Sequence, residues 1–236
     1  DISREGWAGR SSMPGLFDVS VGLGLAFRSA RIVSQTQNVA DKTYNGGMYP
    51  EFTIRADVYP LVPFVDNIAS GIGVGVGYTR HMTIKTETNK DPPQEVDTTS
   101  QELLLDARFR WIMFRDSLTS PELYGFFGWG MRDFTLSANS VMASFRYRFL
   151  RVGIDGKVPI LTPMFAVTAG FDVRPVLAVG DGEGTAVFHY GSRDGGLGWA
   201  LRAGLAGRLS LGVTYFARFE YLRFSTNFSG LEAAPT

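Results

Sequence analysis

Apolar and polar residues alternate one for one along most of this chain. In FDVSVGLGLAFR, Phe17, Val19, Val21, Leu23, Leu25 and Phe27 share one face, while Asp18, Ser20, Gly22, Gly24, Ala26 and Arg28 share the other. A period of two sustained this far predicts a long β-strand. The pattern recurs in MYPEFTIRADVYP, IASGIGVGVGYTRH, QELLLDARFRWIM, LYGFFGWGMRDF, MASFRYRFLRVGI, MFAVTAGFDVRP, LGWALRAGLAG and LGVTYFARFEYLRF. In MASFRYRFLRVGI, Phe145, Tyr147 and Phe149 fall on the apolar face and Arg146 and Arg148 opposite, with a phase slip expected near Leu150, as at a bulge. Nine strands are read this way, and no amphipathic helix.

The connections alternate in length. Residues 31–48, 82–99 and 179–196 are long and polar, and 133–142 are a shorter version; 60–67, 115–121, 156–163 and 207–210 are short. Residues 1–14 read as an irregular lead-in, 15–228 as one β domain, and 229–236 as an irregular tail. Asp1 opens a polar stretch with no leader-like segment, so the expectation is a mature or trimmed chain.

The stretch SGIGVGVGYTR decides which face looks inward. Gly71, Gly73, Gly75 and Gly77 line one side, and Ile72, Val74, Val76 and Tyr78 the other. A soluble barrel with its apolar face inside would crowd its core with Phe and Trp and leave strips of bare glycine outside. A narrow barrel with its apolar face in lipid needs those glycines, because they leave room inside for long charged side chains from other strands. Closing the sheet satisfies every backbone polar group in hydrocarbon.

The expected lumen charge network is therefore Arg28, Glu51, Arg55, Asp57, Glu102, Asp106, Arg108, Arg110, Arg132, Arg146, Arg148, Asp172, Arg174, Arg202, Arg218 and Glu220. Charges away from water must pair, and Arg–carboxylate forks would cross-link strands from within. Trp111, Trp129, Trp199, Tyr78, Tyr215 and Tyr221 are candidates for interfacial aromatic girdles.

The alternating strands, glycine-rich faces, loop asymmetry and the segment RADVYP resemble small bacterial outer-membrane β-barrels of the OmpA-, OmpX- and OmpW-like group. The resemblance is architectural and covers about residues 15–228. It implies an antiparallel, up-and-down transmembrane β-barrel with short periplasmic turns, long extracellular loops and an even strand number. Eight to ten strands are expected, ten favoured, so either a closing strand is missing from the chain or one element is divided wrongly. It also implies the bacterial outer membrane as location, with outer-membrane lipid and lipopolysaccharide as surroundings and other envelope proteins as partners.

Composition adds to this picture. Glycine is 28 of 236 residues and aromatics are 13%, both high for a soluble domain. There is no cysteine, which suits passage through an oxidising periplasm. Arginine outnumbers lysine 19 to 4, fitting either forked pairing away from bulk water or a genomic bias. Net charge is zero, so no basic field for nucleic acid exists.

Candidate chemistry is sparse. His189 and Ser192 share a glycine-rich loop with no orienting acid at a telling spacing, and His81 ends the third strand. GDGEG at 180–184 lacks calcium-loop spacing. Neither GxG run completes a nucleotide fingerprint before a helix. The expectations are no enzyme activity, no metal and no cofactor. The chain is expected to be a non-enzymatic anchor, scaffold or envelope-complex subunit; a narrow channel or holder of small solutes or a hydrophobic ligand is the alternative, a lipid hydrolase less so. A soluble lipocalin-type barrel is the fallback on fold.

Overall fold

The computed structural model describes residues 15–34, 42–81, 84–87, 95–114, 119–136, 144–160, 162–180, 192–210 and 213–229. The lead-in 1–14, His189 and residues 181–184 lie outside them, as do the side chains of Arg28 and Ser192.

The strands are β1 (Phe17–Ser34), β2 (Lys42–Val58), β3 (Ile72–His81), β4 (Ile84–Glu87), β5 (Glu95–Ile112), β6 (Glu122–Leu136), β7 (Phe145–Ile160), β8 (Thr162–Val179), β9 (Ser192–Ser210) and β10 (Val213–Ser229). No α-helix occurs among the described residues. The one helical turn, Ile68–Gly71, is 3-10 and is capped by Asn67, whose Oδ1 accepts from Ala69 N at 2.8 Å.

Both β3 and β4 pair with β5, at Arg80–Gln101 and at Ile84–Thr98. β4 therefore continues the line of β3, and ten strands make nine staves. Neighbouring staves run antiparallel in chain order, and the sheet closes on itself where β1 meets β10. That closing pair is parallel and in register from Val19–Val213 to Ser34–Phe228. Nine lies between the eight and ten expected but is odd, where an even and wholly antiparallel barrel was expected, and the parallel seam is what makes an odd number possible. In an up-and-down meander of nine, the first and last staves point the same way, so no further strand is needed to close the ring. The ring is closed at the level of β3; at the loop end β4 pairs with β5 and residues 42–50 of β2 with β1, with no ladder between β2 and β4 among the described residues.

The full-length staves carry 15 to 19 residues apart from β3. A tilted membrane strand needs about 9–11. The surplus lies toward one rim, called here the loop end, where β1 runs on to Ser34, β5 starts at Glu95 and β9 at Ser192. Much of the polar sequence read as loop is thus ladder beyond the apolar zone. The opposite rim, the turn end, includes a single residue between β7 and β8 and two between β9 and β10.

The faces are sharply sorted. Val74 is 54% exposed, Leu105 56% and Leu201 48%, whereas Asp172 and Arg174 are fully buried and Glu51 is 1% exposed. Trp111, Trp129, Trp199, Tyr78, Tyr215 and Tyr221 alternate with the buried positions of their strands and so lie on the outer face. Trp199 and Tyr221 touch at 5.1 Å and Tyr221 stacks on Phe27 at 5.7 Å.

The glycine row in β3 faces inward, and its role is space. A Cβ on Gly75 would collide with the Asp57 carboxylate and the Arg55 guanidinium, and one on Gly73 would come within 2.7 Å of the Tyr59 ring. At Gly77 the nearest atom would stand 3.5 Å away, an ordinary contact. Gly75→Ala is therefore expected to cost about 1–3 kcal/mol by overpacking, while Gly77→Ala stays within about 0.5 kcal/mol of the parent. Urea unfolding of the two variants side by side checks this. Equal costs would mean that the row serves backbone conformation rather than room.

Candidate functional site

The interior is the candidate site, and it has three zones. In the middle, eight of the nine staves contribute charged groups to one connected network. β2 supplies Glu51, Arg55 and Asp57, β3 His81, β5 Glu102, Asp106 and Arg108, and β6 Arg132. β7 supplies Arg151 and Asp155, β8 Asp172 and Arg174, β9 Arg202, and β10 Arg218 and Glu220.

The links can be followed atom by atom. Arg55 holds Asp57 (Nε–Oδ1 3.0 Å) and Asp106 (Nη2–Oδ2 2.8 Å), and Arg108 holds the other Asp57 oxygen at 2.7 Å. Asp172 receives Arg174 Nε at 2.6 Å and Arg202 Nη1, with Arg151 Nη2 at 3.5 Å. Glu102 Oε2 is shared by Arg174 (2.7 Å) and Arg132 (2.8 Å). Arg132 in turn meets His81 Nε2 at 2.9 Å, and His81 stands 3.5 Å from Glu51. Such forks satisfy planar donors and acceptors together. A smaller cluster, Arg110–Glu122 at 2.9 Å and Lys157–Glu122 at 3.7 Å, sits near the turn end. Beside it Tyr59 is buried, with the Arg110 guanidinium 5.9 Å from its ring centre; burial pushes its phenol up to about 12.

Toward the loop end the lumen is apolar. Leu104, Phe134, Phe145, Tyr147, Phe149, Val176, Val179, Ala200, Leu222 and Phe224 form one buried cluster. Tyr147 stacks on Phe145 at 5.8 Å and on Phe224 at 4.5 Å. Phe149 joins the two zones, with the Arg174 guanidinium 5.2 Å from its ring centre.

Toward the turn end the lumen holds a polar chamber of about 160 Å³. Arg55, Arg108, Lys157, Arg202 and Arg218 line it, with Asp18, Asp57 and Asp155. A smaller inner space of about 60 Å³ shares Arg55, Arg108, Asp155, Arg202 and Arg218 and adds Arg151, Arg174, Glu102 and Glu220. The Asp155 side chain is 30% exposed and Arg218 23%, so water enters the lumen from this rim.

Of the expected network, Glu51, Arg55, Asp57, Glu102, Asp106, Arg108, Arg110, Arg132, Asp172, Arg174, Arg202, Arg218 and Glu220 face the lumen. Arg146 and Arg148 do not; both are on the outer wall. Phe145, Tyr147 and Phe149 are the inward residues of β7, and the same odd-numbered phase continues without a slip through Arg151 and Asp155. The irregularity expected near Leu150 lies on the neighbouring strand, where Arg148 pairs with Ala178 but Phe149 with Val176, leaving Leu177 as the extra residue. Outside, Arg146 Nε donates to Asp133 Oδ1 at 2.8 Å and Gln101 Nε2 to Asp133 Oδ2 at 3.2 Å, a polar belt near the loop end.

Arg151, Asp155, Glu122, Lys157 and His81 were not in the expected network. A signal for three of them was present: Val152, Ile154, Val158 and Ile160 mark the outward phase of β7, so Arg151, Asp155 and Lys157 fall opposite. No group of three or more acidic or histidine side chains among the described residues is arranged to hold a metal ion.

Taken together, these features define a closed nine-stave β-barrel of inverted polarity, apolar outside and ion-paired inside. Compared with known proteins, the chain matches no family model, no curated protein and no solved structure.

Proposed function

We propose that this protein is a membrane-embedded β-barrel of the small bacterial outer-membrane kind, serving as a non-enzymatic anchor or scaffold of the cell envelope. The observation that carries the reading is the inverted sorting of side chains. Leu23, Val74, Leu105, Phe127, Ile154 and Leu201 are all between 48% and 61% exposed, while the charged groups are buried at the centre. An apolar wall of this extent, closed on itself, has its lowest free energy in hydrocarbon. Lipid, including lipopolysaccharide, is its natural contact, and other envelope proteins would engage the wall or the loop-end rim.

The filled lumen favours an anchor over a wide pore. The aromatic cluster stands between the turn-end chamber and the loop end, and the ion pairs tie opposite staves across the middle. A small barrel is filled by its own side chains. The second reading, a narrow conduit or a holder for small solutes, has the chamber in its favour. No catalytic role is proposed.

Two measurements test this. The protein is expected to be monodisperse in mild detergent and to aggregate when detergent is withdrawn. In planar bilayers it is expected to give no discrete conductance steps. Stable monomers in plain buffer would overturn membrane residence, and regular single-channel steps would replace the anchor with the conduit. Stoichiometric recovery of an envelope protein in mild detergent would identify what is anchored.

A further inference from the structure

We propose that the turn-end chamber is a binding site for one small oxyanion of the phosphate, sulfate or carboxylate type. A guanidinium carries five N–H donors and an ammonium three, and neither can accept. The chamber wall presents four arginines and Lys157 against three aspartates.

Those aspartates are already engaged. Asp57 accepts from Arg55 and Arg108 on its two oxygens. Asp155 Oδ1 accepts from Arg202 Nε at 3.2 Å and Nη2 at 3.0 Å. Asp18 Oδ1 accepts from Thr214 at 3.1 Å.

Donors, by contrast, are left over. The Nε atoms of Arg108, Arg151 and Arg218 are buried without a hydrogen-bond partner, and all three residues line the inner space. The hydrogen bonds of Arg218 to Glu51 (3.3 Å) and Thr53 (3.2 Å) both come from Nη2. The nearest acidic oxygen to Lys157 Nζ is that of Glu122 at 3.7 Å. The carboxylates that balance these cations stand behind them, as Asp106 behind Arg55, Asp172 behind Arg202 and Glu51 behind Arg218. Across the chamber and the inner space six arginines and Lys157 face five acids, so an acceptor-only ligand finds donors in excess.

Size sets the ligand class. At about 30 Å³ per water, the chamber holds a tetrahedral oxyanion with a few waters. It falls short of the roughly 300–1,000 Å³ of a drug-sized ligand site, which favours a small ion over a lipid or a nucleotide.

The test uses the full chain in whatever medium keeps it folded, detergent or buffer, so its outcome is independent of membrane residence. Inorganic phosphate is titrated at constant ionic strength against chloride, and binding is read by calorimetry and by the shift of the thermal midpoint. Saturable binding is expected. Lys157→Gln and Arg218→Gln should each weaken it about tenfold, the scale of one lost charged hydrogen bond. Arg146→Gln, on the outer wall, should leave it unchanged. Phosphate binding that never saturates, or that survives Lys157→Gln undiminished, overturns the proposal. Lys157→Gln alone decides the matter should Arg218→Gln fail to fold.

Discussion

Asp172→Ala is expected to destabilise the folded barrel by about 3–5 kcal/mol, the cost of leaving buried cations without their counter-charge. Asp172 is fully buried and, among the described residues, is the one carboxylate reached by three guanidiniums, from Arg151, Arg174 and Arg202 on three adjacent staves. Each keeps a second acid after the substitution: Asp106 at 3.5 Å, Glu102 at 2.7 Å and Asp155 at 3.0 Å. Those acids are already shared, so each would then have to balance more positive charge. Asp172→Asn preserves volume but not charge and should fall between parent and alanine variant. Urea unfolding from lipid vesicles, followed by tryptophan fluorescence, measures the series. The control is Asp133→Ala, which breaks the rim pair with Arg146, a side chain 56% exposed, and should have a smaller effect. Parity of the two alanine variants would mean that the interior network does not hold the staves together.

Leu105→Arg gives the second large effect, and its sign separates two readings of the fold. Leu105 points outward from β5, beside Val76 on β3 and Trp129 on β6 in the ladder. In a lipid-facing wall, arginine near the bilayer midplane costs about 2–4 kcal/mol. On a soluble barrel the same exposed position would tolerate arginine within about 0.5 kcal/mol, and solubility would improve. The folded fraction recovered in vesicles, parent against variant, is the measurement. A variant that folds equally well there, and is more soluble in buffer, would mean that the wall never meets lipid.

The lumen charges were legible where they alternate with large apolar residues. Arg108 and Arg110 lie between Ala107, Phe109 and Trp111, and Asp172 and Arg174 follow the same rule around Phe171 and Val173. The rule failed in β7 because near the loop end the lumen is apolar and the outer face polar, the reverse of the middle of the barrel. Phe145, Tyr147 and Phe149 resemble a lipid-facing triplet, yet they fill the lumen, and Arg146 and Arg148 pass outside at the polar rim. The reverse error, missing Arg151 and Asp155, has the same origin. Glu122 opens β6, where alternation fades, and only the neighbouring stave brings Lys157 within 3.7 Å of it.

By itself the sequence determined that this is an all-β chain of long alternating strands and which strand faces carry glycine and charge. Those follow from a two-residue period, which is local. Only the tertiary structure decided that nine staves close through a parallel seam, that an aromatic cluster fills one end of the lumen, and which acid meets which arginine. Closure and pairing join residues as distant as Ser20 and Thr214, and the volume left inside a narrow ring decides which apolar residues enter it. A strand's own period labels its two faces without saying which one turns inward.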